Sequence, residues 1–395
     1  MTAIAARRRM GLTGTDAVAM AWRQIDPDVV AAYPITPSTG IVEKFSQFVA
    51  DGDVGTIFVP VESEHSAMSA CIGAAAGGAR VTTATASQGL ALMHEMLYIA
   101  AGLRLPITMA VANRALSAPL NIHGDHSDAM GSRDAGWIQL YCRDVQETYE
   151  TAILAVRIAE AARVPAMVCL DGFTLSHGLE AIDAFDDDEV RAFIGTPQSA
   201  YSVLTGPPIT IGPLALPDSY MEFRRAQAEA MTVALHCVEE VTHEFNRRFG
   251  RALPPMLEMI GPDDAEAAIV LMGSSADIAA DAVARWQEAG RKIALVRLRL
   301  FRPFPAMAVR TALTRFSRVA VLERADTLST LGGPLVVDTA AALYGVAPPP
   351  RLFNRIFGLG GRDLRPADLD AVASLLLGEV DGPPVGYLGV RGDES

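Results

Sequence analysis

The residue types from which chemistry could be built lie where apolar runs give way to helical patterns. Thr36 stands in Tyr33-Pro34-Ile35-Thr36-Pro37-Ser38-Thr39, between the run Val29–Tyr33 and a predicted helix from Thr39 to Val49. A hydroxyl at such a junction caps the helix, and the unpaired N–H groups of that first turn can also receive a carboxylate. Glu64 stands in Glu62-Ser63-Glu64-His65, at the head of a second helical pattern. An acid suits the first turn of any helix. The helix that follows, however, is Ala67-Met68-Ser69-Ala70-Cys71-Ile72-Gly73-Ala74-Ala75-Ala76, small enough for another backbone to come close. A carboxylate at the head of a buried helix is desolvated and open to proton chemistry. Arg114 follows the run Ile107–Ala112 and offers a planar cation to an anionic substrate.

Two further clusters offer donor groups. Thr82-Thr83-Ala84-Thr85-Ala86-Ser87-Gln88-Gly89 ends an apolar run in hydroxyls and glycine. It lacks the lysine and spacing of a nucleotide phosphate loop and reads as close packing at a cofactor or subunit surface. His123-Gly124-Asp125-His126-Ser127-Asp128 sets four potential metal ligands in six residues. The H-x-H-x-D-H spacing is not met, so the segment reads as a structured loop presenting Arg114; a metallohydrolase is the rival reading. Arg299 and Arg302, around Phe301 and before Pro303-Phe304-Pro305, read as a structured turn.

Positioning these residues takes a repeating framework. Val29–Tyr33, Thr56–Val61, Arg80–Ala86, Ile107–Ala112 and Ala166–Leu170 read as strands, and Thr39–Val49, Glu62–Gly77, Gln88–Leu103 and Glu147–Ala162 as helices. That alternation predicts a parallel α/β sheet, in which ligands bind at the carboxyl ends of the strands. Residues 174–217, rich in proline and glycine, read as a surface excursion, and Tyr220–Phe249 as one long amphipathic helix with Arg247-Arg248 near its C-terminal end. The rhythm restarts with Ala267–Met272, Ala276–Glu288, Lys292–Leu298, Val319–Glu323 and Pro334–Tyr344. The expected division is 1–260 and 261–395, the second part without a catalytic constellation and its tail after Gly382 loose.

Composition narrows the function classes. The 395 residues are 50% hydrophobic and 20% charged, enough for two cored domains. A net charge of −13 repels phosphate backbones and argues against nucleic-acid binding. Cys71, Cys142, Cys169 and Cys237 form no C-x-x-C pair, so no local iron–sulfur or zinc spacing exists and disulfides are not expected. With no apolar h-region after Arg7–Arg9 and no membrane-length apolar stretch, a cytoplasmic protein is expected, with no membrane partner.

Taken in order, YPITPST at 33–39, VESEHSAMSACIGAAAGG at 61–78, TATASQGLALMHE at 83–95, ANRALSAPLNI at 112–122, GDHSD at 124–128 and GLGGRD at 358–363 resemble the alpha chain of pyruvate:ferredoxin oxidoreductase, of the 2-oxoacid:ferredoxin oxidoreductase family. The resemblance covers nearly the whole chain and implies an α/β fold: a pyrimidine-type thiamine-diphosphate-binding parallel-sheet domain, then a transketolase C-terminal-like α/β domain. It implies that Thr36 and Arg114 hold the substrate carboxylate and that Glu64 contacts the cofactor's aminopyrimidine. The activity implied is oxidative decarboxylation of pyruvate with coenzyme A to acetyl-CoA and CO2, electrons passing to ferredoxin. No G-D-G motif occurs. Diphosphate and Mg2+ are therefore expected on a beta subunit and [4Fe-4S] clusters on iron–sulfur and gamma-type partners, leaving this chain half an active site and no metal of its own. The alternatives are the same chemistry on a branched-chain 2-oxo acid or 2-oxoglutarate, and a noncatalytic scaffold.

Overall fold

The chain is described by a computed structural model over residues 7–197 and 201–392. Its first sheet is built on strands without polar alternation: Thr108–Asn113 and Ala166–Asp171 are buried at every position, as strands covered on both faces must be. The seven strands run in the order Leu300–Arg302, Ile138–Tyr141, Ala166–Asp171, Thr108–Asn113, Val81–Thr85, Val29–Ala32, Ile57–Pro60. All neighbours are parallel except Leu300–Arg302, an antiparallel edge that comes from the second half of the chain. On one face Gly14–Ile25, Thr39–Asp51 and Val145–Ala162 pack into a core with the C-terminal half of Tyr220–Phe249. The long helix buries Ala230, Ala234, Val238, Val241, Phe245 and Phe249 at helical spacing and ends at Gly250. On the other face Glu64–Ala76 and His94–Gly102 share a core with residues of the second sheet, among them Val270, Val296 and Val321.

The second sheet has six strands in the order Val385–Tyr387, Arg351–Ile356, Arg318–Glu323, Ala267–Met272, Ile293–Leu298, Leu257–Ile260, the last antiparallel. From Ile293–Leu298 the chain passes directly to Leu300–Arg302 in the first sheet, so the two sheets are stitched by a single turn. Buried charges line that turn. Arg297 and Arg299 both donate to Glu147, at 2.8 Å and 2.9 Å, and Arg299 also donates to Thr151. Burial alone would raise the Glu147 carboxyl; the two guanidinium groups hold it below its ordinary range.

Some sequence expectations change. Residues 174–217 are not one excursion. Leu179–Ala184 pairs antiparallel with Arg8–Thr13, and the helix Asp187–Ile194 buries Val190, Phe193 and Ile194 against the core. A two-stranded ribbon whose partner lies far away in sequence has no local signal. Of the remainder, 198–200 lie outside the described residues, and 201–217 cross the surface, tied by Tyr201 to the Leu103 carbonyl and by Ser202 to that of Gly77. The tail after Gly382 is not loose as far as residue 392: Val385–Tyr387 is an edge strand, and 393–395 lie outside the described residues. Arg299 is the turn between Ile293–Leu298 and Leu300–Arg302, and Arg302 ends the edge strand that follows it. No helix among the described residues is long and apolar enough to cross a membrane.

Candidate active site

The strand order sets the carboxyl ends of Thr108–Asn113, Val81–Thr85, Val29–Ala32 and Ile57–Pro60 side by side, and the segments that leave them carry Arg114, Ser87, Thr36 and Glu64. Arg114 is only 7% exposed. Its Nη1 donates to the Thr36 carbonyl and its Nε to the Asn121 carbonyl, each at 2.9 Å. Among the described residues Nη2 has no hydrogen-bond partner, so the guanidinium is held by two edges and free at the third nitrogen. Thr36 itself is exposed. Ser38, not Thr36, ends the turn: its hydroxyl donates to the Ile35 carbonyl and makes no side-chain cap, and neither hydroxyl closes the helix Thr39–Asp51.

A buried carboxylate organises this edge. Asp128 accepts from the backbone N–H groups of Ser87 and Arg114 on one oxygen, and from the Asn113 amide and the Ala129 N–H on the other. Burial pushes its carboxyl up to about 6 against the pull of those donors. Ser87 takes φ +48°, a left-handed conformation costing an L-residue roughly 1–2 kcal/mol, and is held in it by Asp128 and by its own hydroxyl on the Ala115 carbonyl.

Glu64 opens the helix Glu64–Ala76, behind Ser63, whose side chain accepts from the Ser66 N–H. The Glu64 side chain is 7% exposed, and among the described residues its carboxylate has no hydrogen-bond or ion-pair partner. It faces Gly89: a Cβ there would come within 2.7 Å of Glu64 Oε1 and 2.5 Å of Thr85 Oγ1. The Thr85 hydroxyl is buried and likewise unpartnered among the described residues. Glycine at 89 thus lets the Glu64 and Thr85 side chains pack against its backbone, where any side chain would displace them. The buried, unpartnered Thr85 hydroxyl beside Glu64 is open to a ligand's hydrogen bond. No hydrogen bond or ion pair among the described residues joins Glu64 to Thr36 or Arg114; Gly89, Ser87 and Asp128 connect them.

Asp125 and His126, in the same segment, point the other way. His126 Nε2 meets Asp171 Oδ1 at 2.6 Å, and Asp171 Oδ2 receives the Ser274 N–H and hydroxyl and lies 3.2 Å from Arg324. Burial would raise the Asp171 carboxyl, but Arg324 and His126 hold it well below the usual range. Asp125 accepts from Ser127 and from the Gly360 N–H. The loop therefore clamps the second domain onto the first, and among the described residues no three His, Cys, Asp or Glu side chains are placed to hold a metal. The metallohydrolase reading loses its ligands to these hydrogen bonds.

Residues 20–243 match the family described as pyruvate flavodoxin/ferredoxin oxidoreductase, thiamine diP-bdg, and residues 265–369 match pyruvate:ferredoxin oxidoreductase core domain II. The first match alone takes in more than half of the chain. The chain belongs to the pyruvate:ferredoxin oxidoreductase family. Similar curated proteins include a pyruvate synthase subunit PorA of Thermotoga maritima, 48% identical over 97% of this chain and 98% of that one, and a ketoisovalerate oxidoreductase subunit VorA of Pyrococcus abyssi, 42% identical over 92% of each. Among solved structures, the 2-oxoglutarate:ferredoxin oxidoreductase of Magnetococcus marinus superposes with TM-score 0.73 at 20% identity, over 93% of this chain and 65% of that longer chain. A split-gene transketolase aligns with TM-score 0.53 at 13% identity, over 92% of this chain and 94% of that one. At those identities the two structures speak for the fold: both sheets follow the architecture of 2-oxoacid oxidoreductases and transketolases.

Thiamine diphosphate, the group that names the first domain of the family, fits what is present here. A mostly buried glutamate whose carboxylate has no protein partner among the described residues, beside an unpaired buried hydroxyl, offers acceptors to the N–H groups of a nitrogen heterocycle. In this family member the sequence motifs pointed to Thr36, Glu64 and Arg114 but not to Asp128, whose four donors come mostly from backbone. Asn113 and Asp171, polar residues ending buried strands, were the available signals, because such a residue must answer to a partner at the strand end.

Proposed function

We propose that this chain supplies half of the active site for the oxidative decarboxylation of pyruvate with coenzyme A to acetyl-CoA and CO2, as the alpha-type subunit of a multi-chain oxidoreductase. The observation that carries this reading is the Arg114 guanidinium, fixed on the Thr36 and Asn121 carbonyls with Nη2 free, on the strand edge that also holds the unpartnered Glu64 carboxylate. Arg114 Nη2 and the Thr36 hydroxyl bind and orient the substrate carboxylate, which charge-assisted hydrogen bonds hold by roughly 1.5–3 kcal/mol. Glu64, beside Thr85 and Gly89, receives the pyrimidine of thiamine diphosphate and holds a proton at its carboxylate. When bound, that cofactor supplies the nucleophilic carbon and the electron sink for decarboxylation.

In this reading the diphosphate and its Mg2+ sit on a beta subunit and the [4Fe-4S] relay on other partners that hand electrons to ferredoxin; the given sequence, with no G-D-G motif and no paired cysteines, supports that division. Relatives at 43–48% identity are named pyruvate synthase subunits, while at 42% pyruvate synthase and ketoisovalerate subunits stand level, a balance that favours pyruvate over branched 2-oxo acids. A noncatalytic scaffold would gain nothing from leaving Glu64 and Thr85 unpaired.

Anaerobic affinity isolation of the tagged chain from its host tests the reading. Dye reduction that requires both pyruvate and coenzyme A is expected in the eluate with cysteine-rich partners, and none from the purified chain alone. Turnover by the chain alone, or a complex indifferent to pyruvate, would overturn it.

A further inference from the structure

We propose that the second domain is part of the substrate site: the turn Gly358–Gly361 sets the position of the Arg114 guanidinium, acting through Asn121. The inference rests on the reading above that Arg114 binds the substrate carboxylate. The loop after Arg114 runs exposed from Ser117 to Leu120 and turns back at Asn121, which is half-buried. Left to itself, such a loop offers a poorly fixed carbonyl to a guanidinium. Here the Asn121 carbonyl accepts from Arg114 Nε at 2.9 Å while the Asn121 side chain is held at both ends. Its Nδ2 donates to the Gly360 carbonyl at 3.0 Å, and its Oδ1 accepts from the His123 N–H at 2.6 Å. The Gly360 N–H in turn donates to Asp125, so one residue of the second domain grips the loop twice through its main chain.

The turn is shaped for this. Gly358, Gly360 and Gly361 all take positive φ, at 66°, 62° and 85°, which other residues adopt only with strain. A Cβ at Gly360 would collide with Asn121 Nδ2, and one at Gly361 with the His123 side chain. The loop and the turn therefore sit at backbone contact, and a shift of the second domain is transmitted to the carbonyl that holds Nε. Asn121 is a positioning residue, because it touches Arg114 only through its main chain and reaches the second domain through its side chain.

The test compares Asn121→Ala, Gly360→Ala, the double variant and Arg114→Ala in the assembled complex, measuring kcat and KM for pyruvate and KM for coenzyme A. Asn121→Ala is expected to raise the pyruvate KM roughly threefold to tenfold, the effect of one lost hydrogen bond, with kcat and the coenzyme A KM within about twofold. The double variant is expected to match Asn121→Ala in KM, since both changes cut one linkage. A purely structural role would lower the yield of complex and leave the pyruvate KM in place. If Arg114→Ala raises the KM while Asn121→Ala leaves it unmoved, the linkage is refuted and the substrate role of Arg114 stands. If Arg114→Ala also leaves it unmoved, the substrate role falls and the linkage with it. Should Gly360→Ala fail to assemble, Asn121→Ala, which places no Cβ against the turn, decides alone.

Discussion

A guanidinium with two of its nitrogens on carbonyls presents the third in a fixed direction, and that is the property a lysine cannot copy. Arg114→Lys keeps the charge but cannot bridge the Thr36 and Asn121 carbonyls while also facing a ligand. The expected outcome in the complex is a pyruvate KM raised roughly tenfold to a hundredfold, read by steady-state dye reduction. Thr36→Val, which removes one neutral hydroxyl, is expected to raise it only about twofold to tenfold. These residues were legible because each follows a recognisable strand and is of a type that answers an anion. Asp128 was not, and the reason is physical: three of its four donors are backbone N–H groups of Ser87, Arg114 and Ala129, which are invisible in side-chain identity. Gly89 hid its importance in the same way, since its role is to let Glu64 and Thr85 approach its backbone.

At the scale of elements, the loop 121–128 carries two opposed attachments, one to the strand-end edge through Asp128 and one to the second domain through His126 and Asp125. Its histidines and aspartates resemble a metal set because a buried hydrogen-bonded latch uses the same residue types. Asp171 is the centre of that latch, and its carboxyl lies below the usual range because Arg324 and His126 outweigh the penalty of burial. A group with a depressed native pKa adds stability above its unfolded pKa, about 4 for aspartate, and loses it as pH falls further. Asp171→Asn is therefore expected to destabilise the chain by about 3–5 kcal/mol at neutral pH, leaving Arg324 buried without its charge partner. The gap to wild type should narrow below about pH 4, as urea unfolding at several pH values would show. A gap that is constant with pH would mean that the carboxylate charge is not what the latch uses. A strand buried throughout and a helix with one buried stripe read directly from sequence, as Ala267–Met272 and Tyr220–Phe249 do. The ribbon of Arg8–Thr13 with Leu179–Ala184 did not, because its register depends on a partner more than 160 residues away.

For the molecule as a whole, the two sheets share a core, the second half of the chain lends the first sheet its edge strand, and Glu147 bridges the two arginines at the crossing. The sequence showed two α/β rhythms but not this join, because Leu300–Arg302 continues the pattern of the second sheet while pairing with the first. Trp22 and Trp137 report on the first sheet's surroundings and Trp286 on the second's, so single-tryptophan variants can follow each separately. One coincident denaturant transition is expected for the wild type. Glu147→Gln is expected to lower its midpoint and to part the Trp286 signal from the others, since Arg297 and Arg299 keep only Glu258, Thr151 and carbonyls for partners. The proposed half-site rests on Glu64, at the head of a helix packed in the core common to both sheets. The direct measurement is kcat for pyruvate and coenzyme A in the anaerobically isolated complex carrying Glu64→Gln, with partner content checked on the same sample. A loss of roughly a hundredfold or more, with the complex intact, is expected if the carboxylate holds the working proton. A kcat within about twofold of wild type would contradict it.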